Sequence, residues 1–128
     1  MSAREDVRVP GRPELSHSAD AVRAGGYVFV AGILPVDASG ALVGGDDVVA
    51  QARFVFGELG RILAAASCSP GDGLKVSVFL TDVDDRPRIN PIRRELFGVA
   101  RPASTLVEVS GLAVPGAKIE VDAIAAVA

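Results

Sequence analysis

The chain contains no tryptophan and only one each of cysteine, histidine, tyrosine and methionine. Each shortage excludes something. Cys68 stands alone, so an internal disulfide cannot form, and the usage fits a reducing compartment. Cys68 and His17 together fall short of the roughly three or four ligands a zinc site needs. With aromatics at 5%, the core must be assembled from Val, Leu, Ile and Ala. The longest apolar stretch, residues 123–128, is far shorter than the roughly 20 residues that cross a bilayer. Residues 1–6 are polar and mixed in charge, without the apolar centre of a secretion signal. Positive charge is not in excess either. The formal net charge is −3 and the Lys and Arg residues are scattered, so no basic stripe invites a nucleic acid. The expectation is a cytoplasmic protein with neither a membrane nor a nucleic-acid partner.

What is present suits one folded domain spanning residues 1–128. Hydrophobic residues at 49% and charged residues at 23% give a globular balance, and the length leaves no room for two cores. Residues 1–18, broken by Pro10, Gly11 and Pro13, read as an extended N-terminal arm. Gly25–Gly26, between β-prone residues 21–24 and 27–32, reads as a hairpin turn. A helix is expected over about 46–66. Val49, Ala52, Phe56, Leu59 and Leu63 recur at helical spacing, and Asp46 and Asp47 suit its cap. Gly57 and Gly60 weaken that helix and suggest a close approach to a sheet. Residues 74–81 alternate as a strand. A second helix falls within 84–97, with Asn90 as its cap, Pro91 at its first position and Gly98 closing it. Two strands, about 104–110 and 117–127, finish the chain.

Both helices lie between strands, with hairpins expected at each end. That pattern gives an α+β fold, a mixed sheet of about six strands with two helices on one face. The other face of the sheet is then left without an intramolecular cover, and a second copy of the chain is the natural cover.

Several segments resemble one family. Ala21–Val22–Arg23–Ala24–Gly25–Gly26–Tyr27–Val28–Phe29–Val30–Ala31–Gly32 is similar to the first hairpin of the RidA/YjgF reactive intermediate deaminases, also labelled L-PSP endoribonuclease-like proteins or translation inhibitors. Val76–Ser77–Val78–Phe79–Leu80–Thr81–Asp82 resembles its central strand. Ile89–Asn90–Pro91 through Leu96–Phe97 resembles its second helix. Arg101–Pro102–Ala103–Ser104–Thr105–Leu106–Val107–Glu108–Val109 and Lys118–Ile119–Glu120–Val121–Asp122–Ala123–Ile124–Ala125 resemble its C-terminal signature. The resemblance implies a chorismate-mutase-like fold and a homotrimer whose sheets form an inner barrel. It implies small-metabolite clefts between subunits, and cofactor-free hydrolysis of enamines and imines to 2-oxo acids and ammonia.

The resemblance also implies a site. Glu120 matches the family glutamate that positions water, and Asn90 matches an asparagine of the second helix. The signature arginine, which grips the substrate carboxylate, is replaced by Ser104. Ser18, beside His17, stands where the arm usually carries a tyrosine, and Ala31–Gly32–Ile33 replaces serine–glycine–glutamine. Thr105 and the backbone of Leu106 remain as hydrogen-bonding groups for a ligand. Arg93 shares a helix face with Asn90 and could supply the missing cation, or else form a surface ion pair. His17 is the one side chain that titrates near neutral pH unperturbed, and reads either as a solvent bystander or as a pocket group. Glu120 reads as a solvated strand acid or as a pocket acid. Because a neutral serine bonds more weakly than a charged fork, activity on simple 2-imino acids is expected to be weak or absent. Two further readings are a non-catalytic metabolite-binding trimer and a ribonuclease; the acidic charge disfavours the second.

Overall fold

The computed structural model describes residues 3–127. Gly25 and Gly26 take φ of 59° and 83°, the two left-handed positions of a tight hairpin turn. That turn folds β2 (Ala21–Ala24) back on β3 (Tyr27–Ile33), Ala24 opposite Tyr27. The arm contributes a short strand, β1 (Glu5–Val7), antiparallel to β2. On the other side of β3 lies β6 (Ile119–Ala126), then β4 (Gly73–Leu80), then β5 (Ala103–Glu108) at the edge. The six-stranded sheet runs β1-β2-β3-β6-β4-β5, antiparallel except for β4 and β5.

The expected C-terminal hairpin is not formed, because β4 separates β5 from β6. The cause is α2 (Arg86–Phe97), which carries the chain back across the sheet after β4. A strand–helix–strand crossover delivers a parallel strand, and β5 pairs with β4 in that sense.

Helix α1 (Val48–Ala65) starts where Asp47 caps it, its carboxylate accepting from the backbone N–H of Val49 at 2.9 Å and Ala50 at 3.3 Å. Ala52, Phe56, Leu59 and Leu63 are buried as their spacing requires, but Val49 is only part-buried and Val48 takes the inward place. The glycines do not face the sheet. A Cβ at Gly57 would meet nothing within 4 Å, and one at Gly60 only Leu96 of α2 at 3.6 Å. Gly57→Ala is therefore expected to raise stability by about 0.5–1 kcal/mol, since alanine restricts the unfolded chain and favours helix. Urea unfolding of the variant, with an unchanged m-value, checks this.

The start of α2 also differs from expectation. Asn90 and Pro91 lie inside the helix, which begins at Arg86 with Asp85 at the cap position. A single 3-10 turn, Val83–Asp85, feeds directly into it, and Pro87 occupies the first turn, where no N–H is required. Pro91 then leaves the Pro87 carbonyl without an intrahelical donor. Gly98 ends the helix at φ 60°, donating its N–H to the Arg94 carbonyl at 2.8 Å.

Val28, Val30 and Ile33 of β3, Val76, Val78 and Leu80 of β4, and Ile119, Val121, Ala123 and Ala125 of β6 form one core with both helices. The opposite face of the sheet is bare. Tyr27 and Phe29 are each 46% exposed there and Val107 is 41% exposed, with Ile124 and Phe79 half-buried among them.

Candidate functional site

Alternation along β6 sends Ile119 and Val121 into the core, so Glu120 points to the other face, opposite Phe79 of β4. On its other flank the register of β3 shifts between Val30 and Ile33, which brings Gly32 against the Glu120 side chain. A Cβ at position 32 would lie 2.0 Å from Glu120 Oε2. Glycine is required there for the carboxylate to rest over the β3 backbone. Glu120, Gly32, Ala31 and Ser18 line one hollow of about 370 Å³, walled by the arm through Arg12 to Ser16 and through Ala19 and Asp20.

That wall is fastened in place. The Asp20 carboxylate accepts from the Val9 N–H at 2.7 Å and from Arg12 Nε at 3.0 Å. Arg12 also lies 3.5 Å from Glu58 of α1, and Arg61 binds both Glu58, at 2.7 Å, and the Pro10 carbonyl, at 3.1 Å. Glu120 is half-buried. Burial first, and then the nearby carboxylate of Asp122, push its pKa above the ordinary 4.5. A carboxyl raised in this way is a better proton acceptor than an exposed one.

Ser104 and its neighbours lie elsewhere in the chain. Ser104 is opposite Val76, on the helix-covered side of β5, while Thr105 is opposite Ser77 on the bare side. Arg93 Nη2 of α2 donates to Ser104 Oγ at 2.5 Å. Arg93 and Asn90 line a second hollow, of about 490 Å³, with Arg86, Arg94 and Arg101. Thr105 Oγ1 accepts from Lys75 Nζ at 2.5 Å, and Leu106 packs at the margin of the core. His17 is exposed and borders a third hollow with Arg4, Asp6 and Arg8, apart from Glu120. A single chain thus unites Glu120, Gly32, Ala31 and Ser18 in one group, and Ser104, Arg93 and Asn90 in another. The two groups lie on opposite faces of the sheet.

The sequence profile of the Endoribonuclease L-PSP family matches residues 11–127 of this chain. The chain belongs to that family. Its relatives in the Endoribonuclease L-PSP family include proteins named for deamination. It is 38% identical over 113 residues to the 3-aminoacrylate deaminase RutC of Acinetobacter baylyi, covering 88% of this chain and 89% of that one. It is 34% identical over 99 residues to the 2-iminobutanoate/2-iminopropanoate deaminase of Capra hircus, covering 77% and 71%. The crystal structure of RidA from a Psychrobacter species superposes with a TM-score of 0.88 at 27% identity, covering 96% and 99%. The YjgF-like fold read from the sequence is the fold found.

The family reading did not reach three residues that shape this site. Arg12 and Asp20 fix the arm, and their only sequence signal is opposite charge eight positions apart across a proline. Gln51 is fully buried, donating to the carbonyls of Gly45 and Gly116 and accepting from the Lys118 N–H just before β6. A glutamine on the apolar stripe of α1 was the available clue. Among the described residues no three His, Cys, Asp or Glu cluster as a metal site would require, and no helix is long and apolar enough to cross a membrane. Cys68 is buried, and burial followed by the charge of Asp72 raises its thiol pKa, which disfavours the reactive thiolate.

Proposed function

We propose that this chain is a cofactor-free deaminase of small enamines or imines, working as a homotrimer with its clefts between subunits. The observation that carries the reading is the placement of Glu120 over Gly32, a half-buried carboxylate of raised pKa facing a hollow of ligand size. The bare face bearing Tyr27, Phe29 and Val107 supports the assembly, since an apolar surface of that kind is normally covered. The separation of the two residue groups supports it as well: a cleft using both needs two copies of the chain.

In this reading the Glu120 carboxylate accepts a proton from water as the water oxygen bonds to the imine carbon. The protonated carboxyl then returns a proton to the nitrogen. Glu120 next carries the proton of the new hydroxyl to the nitrogen, so that the C–N bond breaks, ammonia leaves with both protons of the water, and the carbon keeps its new oxygen as a carbonyl. Asn90 and Arg93 of the neighbouring copy, the latter held by Ser104, bind the substrate.

Sedimentation at three times the chain's 13.1 kDa is expected. So is ammonia release from imines formed in situ by an amino-acid oxidase, weak for simple 2-imino acids because Ser104 offers a neutral bond where a charged fork would bind more strongly. Because the ionised carboxylate is the working form, kcat/KM falls as pH drops through the Glu120 pKa, with the acid limb displaced above 4.5. A monomer in dilute solution, or a rate no faster than spontaneous hydrolysis on every imine tried, overturns the proposal.

A further inference from the structure

The hollow beside Ser104 is an unpaired cluster of cations. Arg86, Arg93, Arg94 and Arg101 all line it. None of the four takes part in an ion pair found among the described residues. Most other arginines of the chain are matched: Arg88, on the same helix, binds Asp85 at 2.8 Å, and Arg12 and Arg61 are tied to Asp20 and Glu58. A chain of net charge −3 has acids to spare, yet it leaves four arginines without an ion pair among the described residues around a single hollow. Arg93 is half-buried, and both its burial and the charge of Arg86 act against its protonated form. It still stays charged, as arginine does in proteins. Its one hydrogen bond seen here is to the neutral Ser104 hydroxyl, which leaves the rest of the fork free.

Such a cluster is relieved by an anion, and one carboxylate would engage only one planar fork. Resting on the deaminase reading above, we propose that the hollow is the anion-holding half of the cleft and that its favoured ligand carries two carboxylates. Arg93, held by Ser104, grips one carboxylate, and Arg86 and Arg101 grip the second. The substrate class is then the imine of an amino dicarboxylic acid. Ser104 is a positioning residue: it replaces no charge itself but orients a guanidinium supplied by the helix.

Titration calorimetry on the intact protein tests this with succinate, propanoate and inorganic phosphate. Succinate is expected to bind at least about tenfold more tightly than propanoate, a difference of roughly 1.4 kcal/mol. Arg93→Gln abolishes binding of both, and Arg101→Gln removes only the preference for succinate. In the deamination assay the imines of aspartate and alanine replace these ligands, and kcat/KM favours the first by a similar factor. Ser104→Ala raises KM several-fold with kcat retained, and Ser104→Thr restores it. Equal binding of succinate and propanoate overturns the inference, as does succinate binding unchanged by Arg93→Gln, whether or not the protein deaminates. Tight, Arg93-dependent succinate binding without deamination of either imine supports the hollow and overturns the proposed activity. Preferred binding of phosphate or of an oligoribonucleotide overturns the dicarboxylate assignment.

Discussion

Glu120→Gln will lower kcat for imine deamination by about 100-fold or more, the usual contribution of a positioned general base, while the protein folds and assembles normally. Glutamine keeps the shape of the side chain over Gly32 but cannot accept the proton of the attacking water. Carboxylate binding by the arginines should be retained, because within a chain Glu120 lines none of the hollow they border and the substitution leaves them in place. Gly32→Ala provides an independent route to the same loss. Its Cβ would collide with the end of the Glu120 side chain, 2.0 Å from Oε2 and 3.1 Å from Cδ, so the flexible carboxylate yields and stability changes little. Both variants are read by steady-state rates together with circular dichroism. If either retains the parent kcat, Glu120 is not the base.

Gln51→Leu will cost on the order of 3 kcal/mol, although leucine is nearly the same size and more apolar. The side chain is fully buried and both ends of its amide are used. Leucine strands the carbonyls of Gly45 and Gly116 and the N–H of Lys118. Each buried group without a partner costs about 1–3 kcal/mol, partly offset where water reaches it. For a domain of this size the melting temperature should fall by roughly 10 °C. Calorimetric melting checks it, and a shift of only one or two degrees would show that the three backbone groups find other partners. The effect on activity should exceed the effect on folding, because the Lys118 bond sets the start of β6 and so the height of Glu120.

Most of the scaffold can be read from local pattern. The Gly25–Gly26 turn, the Asp47 cap and the strand alternation around Val76 and Ile119 all state their geometry in a few residues. Non-local features resist such reading. Whether β5 pairs with β4 or with β6 depends on where α2 returns the chain, and no short window contains that information. The asparagine–proline pair at 90–91 offers a good local helix start, but the turn at Val83–Asp85 begins the helix a full turn sooner. Gly57 and Gly60 suggest tight packing, yet Gly57 faces open space.

The site divides in the same way. Glu120, Asn90 and Ser104 are candidates that only the family resemblance supplies. The partnership of Ser104 with Arg93, eleven residues earlier on another element, is visible only once the helix is placed over the strand. The same placement separates His17 from Glu120, although the arm that carries it forms part of the Glu120 wall through Ser18.

The division of labour between β6 and α2 has a consequence for how such a protein diverges. Glu120 is locked by a central strand, a glycine and the register of two neighbours, so few changes there are tolerated. Arg86, Arg93 and Arg101 sit on a helix surface and an edge loop, where substitutions leave the core untouched. On the proposed reading, ligand choice drifts by exchanging charges on that rim, one residue at a time, while the carboxylate over Gly32 is kept.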